Sequence, residues 1–226
     1  MIIFKNVSKI YPPDTHAVNN INLHIKPHEF VSIVGQSGSG KTTLVRLLIA
    51  EIKPTQGEII VGGWNITGIT PNEVPVLRRQ IGVIFQDFKL LPRKTIFENV
   101  AFALEVCNTP IKKMKNIIPQ VLKIVGLEGK VDRFPHQLSG GEAQRAVIAR
   151  ALVHRPKILI ADEPSGNLDS INTREIIDLL LKINDFGTTI VLVTHNRDVV
   201  NGLHKRVISL DHGVIVSDRE KGRYIL

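Results

Sequence analysis

Apolar and polar positions change rhythm twice along this 226-residue chain. Short apolar stretches come first, and residues 2–10, 18–25 and 30–34 read as strands. Val18, Ile21, Leu23 and Ile25 include the period-two alternation of a half-buried strand. The run Val31 to Val34 stops at Gly35 and opens a glycine-rich loop, after which a helix is expected over 41–50 and strands over 57–61 and 81–85. From about 88 to 152 strand signals vanish and helical spacing takes over. Val121, Leu122, Ile124 and Val125 there fall at offsets that predict one shared helix face. Strand-like runs return at 158–161, 189–193, 207–210 and 214–216, with a helix expected over 173–183. Strands separated by helices predict a largely parallel, buried sheet. The expectation is one α/β domain over 1–226, interrupted by a helical lobe at 88–152.

Composition narrows this picture. Hydrophobic residues make up 43% of the chain, enough for a packed core. No stretch approaches the roughly 18–20 apolar residues of a membrane span, and the first residues lack the pattern of a secretory leader, so a cytoplasmic protein is expected. Cys107 is the one cysteine, which excludes an internal disulfide. The net charge is +8, which could favour nucleic acid or an anionic membrane. The charges are dispersed, however, apart from short clusters such as Lys112, Lys113 and Lys115. Without an aromatic-rich basic strand, no direct nucleic-acid partner is expected.

Chemistry enters at Gly35-Gln36-Ser37-Gly38-Ser39-Gly40-Lys41-Thr42, a full G-x-x-x-x-G-K-[ST] match between an apolar strand and a helix. Glycines let backbone N–H groups turn inward around phosphate oxygens. Lys41 brings a point charge to the β- and γ-phosphates, the Thr42 hydroxyl suits Mg²⁺, and the helix start adds its positive dipole end. A second constellation is Ile158-Leu159-Ile160-Ala161-Asp162-Glu163, an apolar strand ending in two acids. A parallel strand places Asp162 at its C-terminal tip, where α/β sheets bind ligands, within reach of the metal. Glu163 is then the candidate general base for the attacking water. Two acids opening a helix would equally satisfy its dipole.

Leu138-Ser139-Gly140-Gly141-Glu142 precedes a helical run from 143 to 152. Ser139 and Glu142 fit the S-x-x-E capping box. Two consecutive glycines exceed what a cap needs, and they permit close approach of backbone to an anion. Both roles can hold together.

These three motifs, in this order, resemble the ATP-binding-cassette family over essentially the whole chain. The resemblance implies a P-loop NTPase core with a mainly parallel sheet, an N-terminal antiparallel β-subdomain and an inserted α-helical subdomain. It implies an ATPase that uses Mg²⁺ with ATP. Tyr11 would stack on adenine with Val18 packed nearby, and Thr43 would join residues 35–42 around the phosphates. Thr42, Gln86 and Asp162 would surround the metal, with Gln86 linking it to the helical lobe. Glu163, His195 and Lys41 would act in catalysis, His195 against the γ-phosphate. The family's dimer would seat each ATP between the phosphate loop of one chain and Leu138–Glu142 of the other, an isologous contact. Ser165-Gly166-Asn167-Leu168-Asp169 would line that interface, and hydrolysis would remove the charge contacts that hold the halves together.

Within the family, 85–92 (Phe-Gln-Asp-Phe-Lys-Leu-Leu-Pro), 95–100 (Thr-Ile-Phe-Glu-Asn-Val) and 162–169 resemble the cell-division, FtsE-like branch. That branch implies an FtsX-like integral membrane partner and peptidoglycan-hydrolase activation. The chain would then be peripheral on the cytoplasmic face of the plasma membrane, enriched at the division site. Ser165 stands where this branch commonly has Thr, and Ala143 where Gln is common, which puts one polar interface contact in doubt. Phe88, Leu90 and Leu91 would either form a docking groove for an amphipathic helix of the partner or pack inside the lobe. A transport ATPase of the lipoprotein-release or macrolide-export branch shares all the catalytic residues. A cassette acting on DNA or ribosomes would carry a long coiled-coil insertion or a second cassette, and neither pattern is present.

Overall fold

The computed structural model describes residues 1–224; the last two residues of the expected domain lie outside the described residues. Strands β1 (Ile2–Tyr11) and β2 (Thr15–Ile25) pair as a hairpin, and β3 (Phe30–Val34) leads into α1 (Lys41–Leu48). After these come β4 (Gln56–Val61), β5 (Trp64–Asn65), α2 (Val74–Arg78) and β6 (Ile81–Ile84). The helical lobe holds α3 (Ile96–Val106), α4 (Ile111–Ile124) and α5 (Gly140–Leu152), with two short 3-10 turns between α4 and α5. The chain returns as β7 (Ile158–Asp162), α6 (Ser170–Asp185), β8 (Thr189–Val193), α7 (Arg197–Leu203), β9 (Arg206–Asp211) and β10 (Val214–Arg219). The elements without a sequence expectation, β5, α2 and α7, span 2, 5 and 7 residues, too few to establish a period.

Two sheets result. One is antiparallel with strand order β2-β1-β4-β5, and the other runs β10-β9-β3-β8-β7-β6. All pairings of the larger sheet are parallel except the β9–β10 hairpin. This is the expected α/β architecture with an antiparallel N-terminal sheet. Alternate residues of the parallel strands serve different cores. Leu159, Ala161, Ile190 and Leu192 face the core shared with the helical lobe and α6. Ile158, Ile160, Val191, Val193 and Ile33 face the one shared with α1 and the antiparallel sheet. A sheet covered on both faces needs apolar residues at every position, which is why these runs show no alternation.

The lobe is fastened by caps that are local in sequence. Thr95 Oγ1 accepts from Glu98 N at 3.2 Å and Glu98 Oε2 accepts from Thr95 N at 2.7 Å, a reciprocal cap on α3. On α4 the buried stripe is Met114, Ile118 and Leu122, continued by Val125 just beyond the helix. The single face expected for Val121, Leu122, Ile124 and Val125 is corrected here: Ile124 is 60% exposed. Each helical step turns about 100°, so Ile124 points well away from Val125. Replacing Ile118, which is fully buried, with Ala should cost about 2–5 kcal/mol. Ile124→Ser should stay within about 0.5 kcal/mol of the parent. Chemical denaturation of the two variants checks both values.

Candidate functional site

Strand register assembles the site. Ile33 lies level with Val193 across β3 and β8, and Val193 lies level with Asp162 across β8 and β7. Three adjacent strands therefore end together. The phosphate loop after β3, the acid pair at the tip of β7 and Thr194-His195 after β8 emerge side by side at their C-terminal edge, where α/β sheets take ligands. One cavity of about 650 Å³ there is lined by Gln36, Ser37, Gly38, Gly40, Lys41, Thr42 and Thr43, together with Gln86, Asp162, Glu163 and His195. Residues from opposite ends of the chain, chosen for their chemistry, thus share one space.

Gly40, at φ 102°, stands at the start of α1, and a side chain there would strike Ala17 O at 2.4 Å. Only glycine lets the loop close against β2 at that point. Lys41 Nζ lies on its own loop, 2.7 Å from Gly35 O and 2.8 Å from Gln36 O. Burial lowers its pKa, against the raising effect of Glu163 and Asp162. At Asp162 burial is again the largest cause and, with the Glu163 charge, raises the pKa. Lys41 and Lys89 oppose that shift.

Glu163 adopts φ 47° and its N–H donates to Val193 O at 2.8 Å, which turns its side chain back over the end of β8. Oε2 accepts from Thr194 Oγ1 at 3.0 Å, and Oε1 accepts from His195 N at 2.9 Å and from His195 Nδ1 at 2.6 Å. The two candidate catalytic side chains are thus in direct contact. The donor set facing the cavity fits Mg²⁺ with ATP. A hydroxyl, an amide and a carboxylate from Thr42, Gln86 and Asp162 are the hard oxygen donors that this ion prefers, beside the cationic Lys41.

The expected adenine platform is not part of this cavity. Tyr11 and Val18 are not among its lining residues, whereas Ala17 is. Val18 is 1% exposed in the core, and the Tyr11 hydroxyl is buried without a partner, with Lys9 Nζ 5.4 Å from the ring centre. Tyr224 lines the cavity instead. Its N–H donates to Asn201 Oδ1 at 2.9 Å, and the Arg197 guanidinium lies 5.1 Å from its ring centre. An aromatic beyond the last strand carries no motif, so nothing in the sequence marked it.

Leu138 to Glu142 stand outside the cavity in the single chain, at the start of α5. Ser139 Oγ accepts from Glu142 N at 3.3 Å and Glu142 Oε2 accepts from Ser139 N at 2.9 Å, so the expected capping box is present. Leu138 packs against the lobe core. Gly140 is exposed, but Gly141 has a second reason to be glycine: a Cβ there would lie 1.9 Å from Asn172 Oδ1. Ala143 is buried, so it presents nothing to a partner surface. In the 165–169 loop Ser165 is buried, and Gly166 and Asn167 are exposed. Leu168 packs on the lobe, and Asp169 caps α6, accepting from Asn172 N at 2.8 Å. A Cβ on Gly166 would sit 3.3 Å from Gln86 Nε2, so Gln86 adjoins this loop as well as the cavity.

The ABC transporter family model matches residues 18–166, well over half of the chain. The chain belongs to this family. It is 48% identical over 224 residues to the cell division ATP-binding protein FtsE of Streptococcus pneumoniae, covering 99% of this chain and 97% of that one. FtsE of Bacillus subtilis is likewise 48% identical, with 99% and 98% covered. The methionine import ATP-binding protein MetN of Carboxydothermus hydrogenoformans is 43% identical over 96% of this chain and 66% of its own length. Among solved structures, a dimeric ATP-binding cassette in a post-hydrolysis state bound to ADP and Pi superposes with a TM-score of 0.88 at 36% identity. That match covers 99% of this chain and 100% of the other. The ABC chain is thus an ATPase cassette of an FtsE-like system, in a fold that dimerises.

Asp162 makes stability depend on pH. The folded-state pKa of Asp162 lies above its ordinary 3.8, so the folded chain keeps a proton that the unfolded chain has lost. Its ionised form is a cost that is absent at low pH and grows as pH rises through the acid range. Asp162→Asn should therefore melt higher than the parent at pH 7, with the gap closing on acidification and with Mg·ATP binding lost. Melting curves across pH, with and without Mg·ATP, check this.

Proposed function

We propose that this ATPase works as the cytoplasmic motor of a cell-division complex, coupling ATP binding and hydrolysis through an FtsX-like integral membrane protein to peptidoglycan-hydrolase activation. The observation that carries the proposal is the nearly full-length likeness to proteins named for cell division. Among the described residues no helix is long and apolar enough to cross a membrane. The chain would sit peripherally on the cytoplasmic face, enriched at the division site.

In this reading Gln36–Thr43 cradle the phosphates, and Lys41 leaves its loop carbonyls to meet the terminal ones. Thr42, Gln86 and Asp162 would hold Mg²⁺, which would supply positive charge against the phosphates. Glu163 takes a proton from water, and His195 turns to the γ-phosphate. Leu138–Glu142 of a second copy close the site, and 165–169 line the contact between copies. The adenine-side expectation for Tyr11 and Val18 has no support in the cavity lining; Ala17 and Tyr224 are the residues at hand. Turnover should vanish in Glu163→Gln while ATP binding persists and trapped dimers accumulate. Ser139→Arg should bind ATP yet remain monomeric. Stopped turnover and gel-filtration assays distinguish these, and normal hydrolysis by Glu163→Gln would remove it as the base.

Of the two roles left open for Phe88, Leu90 and Leu91, the packing of Phe88 and Leu90 supports the one inside the lobe. Phe88 and Leu90 are half-buried against the lobe core, and Arg150 fixes this segment by donating to Lys89 O at 2.8 Å and Phe88 O at 3.2 Å. A groove of about 450 Å³ between α2, α3 and α5 is more open: Phe102 and Val106 are about half exposed there, beside Arg78, Arg79 and Arg150. An amphipathic segment of the membrane partner with acidic flanks suits it. Phe102→Ser with Val106→Ser should abolish co-purification with the partner while leaving basal ATPase activity intact. In cells, a fluorescent fusion should concentrate at mid-cell, and depletion should give chains or filaments. Uniform membrane staining with normal division would instead assign the chain to the transport branch.

A further inference from the structure

Thr194 follows β8 directly and is 1% exposed. Its N–H donates to Ile33 O at 3.2 Å, which ties it to the neighbouring strand β3. Its hydroxyl accepts from Asn196 N at 3.1 Å and is 3.0 Å from Glu163 Oε2. With the acceptor side of the hydroxyl occupied by Asn196, its single proton is directed to the carboxylate.

Three donors hold Glu163, the Thr194 hydroxyl on Oε2 and the backbone N–H and ring Nδ1 of His195 on Oε1, and the two side chains among them differ in freedom. The His195 side chain is 67% exposed, whereas the Thr194 side chain is sealed in the sheet. A histidine that swings toward phosphate withdraws its Nδ1 from Oε1 and frees a lone pair there. The buried hydroxyl has nowhere to swing. We infer that Thr194 is a positioning residue for Glu163: its fixed hydroxyl clamps Oε2, so that Oε1, vacated by the His195 ring, faces the cavity to accept the proton of the attacking water. The inference rests on the reading of Glu163 as the base. It makes the ring contact of His195 the one part of the grip on Glu163 that opens, while the Thr194 hydroxyl and the His195 N–H hold on.

The test uses the full chain with Thr194→Val, which keeps the shape without the hydroxyl, and Thr194→Ser, which keeps the hydroxyl. Steady-state kcat and the affinity for a fluorescent ATP analogue are read for each, beside Glu163→Gln. Thr194→Val should lose kcat by roughly ten- to hundredfold, the range for a buried hydrogen bond to a charged group. Its nucleotide affinity should stay within about twofold, and Thr194→Ser should restore most of the rate. If Thr194→Val melts far below the parent, Thr194→Cys, of similar size but with only a weak donor, takes its place with the same expectation. Parental kcat in the hydroxyl-free variant, with Glu163→Gln inactive, would overturn the role of Thr194 alone. Undiminished turnover in Glu163→Gln would overturn the base and this inference with it. Equal losses of kcat and affinity would make Thr194 structural and also overturn the clamp.

Discussion

The level ends of β3, β8 and β7 are the constraint on which the remainder of the molecule depends. Parallel pairing aligns Ile33, Val193 and Asp162 across three strands. A register slip of one residue on β7 would turn Asp162 to the opposite face and separate it from the phosphate loop. The register is held because both faces of these strands are buried, so any slip would disturb two cores at once. The two cores therefore do more than stabilise: they set the relative heights of the loops that carry the chemistry.

The site built on that edge gathers charges that burial disfavours. Asp162 and Glu163 are adjacent, partly desolvated acids, and Lys41 faces them from a loop whose carbonyls it occupies. Asp162 is pushed above its ordinary pKa and Lys41 below its own, and Glu163 beside them sits on a left-handed backbone. Such strain is characteristic of places where a ligand completes the arrangement. A metal–nucleotide complex would set a cation against the acids and phosphates against the lysine.

Communication with the lobe runs through short, specific contacts. Gln86 adjoins both the cavity and Gly166, and Arg150 of α5 holds the carbonyls of Phe88 and Lys89 just beyond. Asn99 of α3, fully buried, grips Leu91 through its N–H at 2.7 Å and its carbonyl at 3.1 Å. The segment from Gln86 to Leu91 is thereby attached to α5, which Leu138–Glu142 open, and to α3, which lines the groove. Asn172, bonded to Asp169 and pressed against Gly141, joins the 165–169 loop to α5 as well.

What the sequence determined by itself was everything governed by neighbours along the chain. The phosphate loop, the acid pair at a strand tip and the reciprocal caps at Ser139 and Thr95 are local arrangements, and hydrogen bonds spanning three or four residues leave a readable spacing. The alternation of strands and helices likewise announced an α/β sheet with an inserted lobe. The tertiary structure alone decided which distant residues meet. Ile124 left its expected face because the stripe on α4 is chosen by what packs beneath it. Tyr11 stood apart from the cavity while Tyr224 entered it, and Gly141 proved to be required by Asn172, 31 positions away along the chain. Thr194 reads as one more β-branched residue at the end of a strand until the turn at Glu163 brings a carboxylate to its hydroxyl. Spacing along a chain encodes contacts within a turn of helix or a pair of strands. Contacts across the sheet depend on register and packing, which exist only once the whole domain has folded.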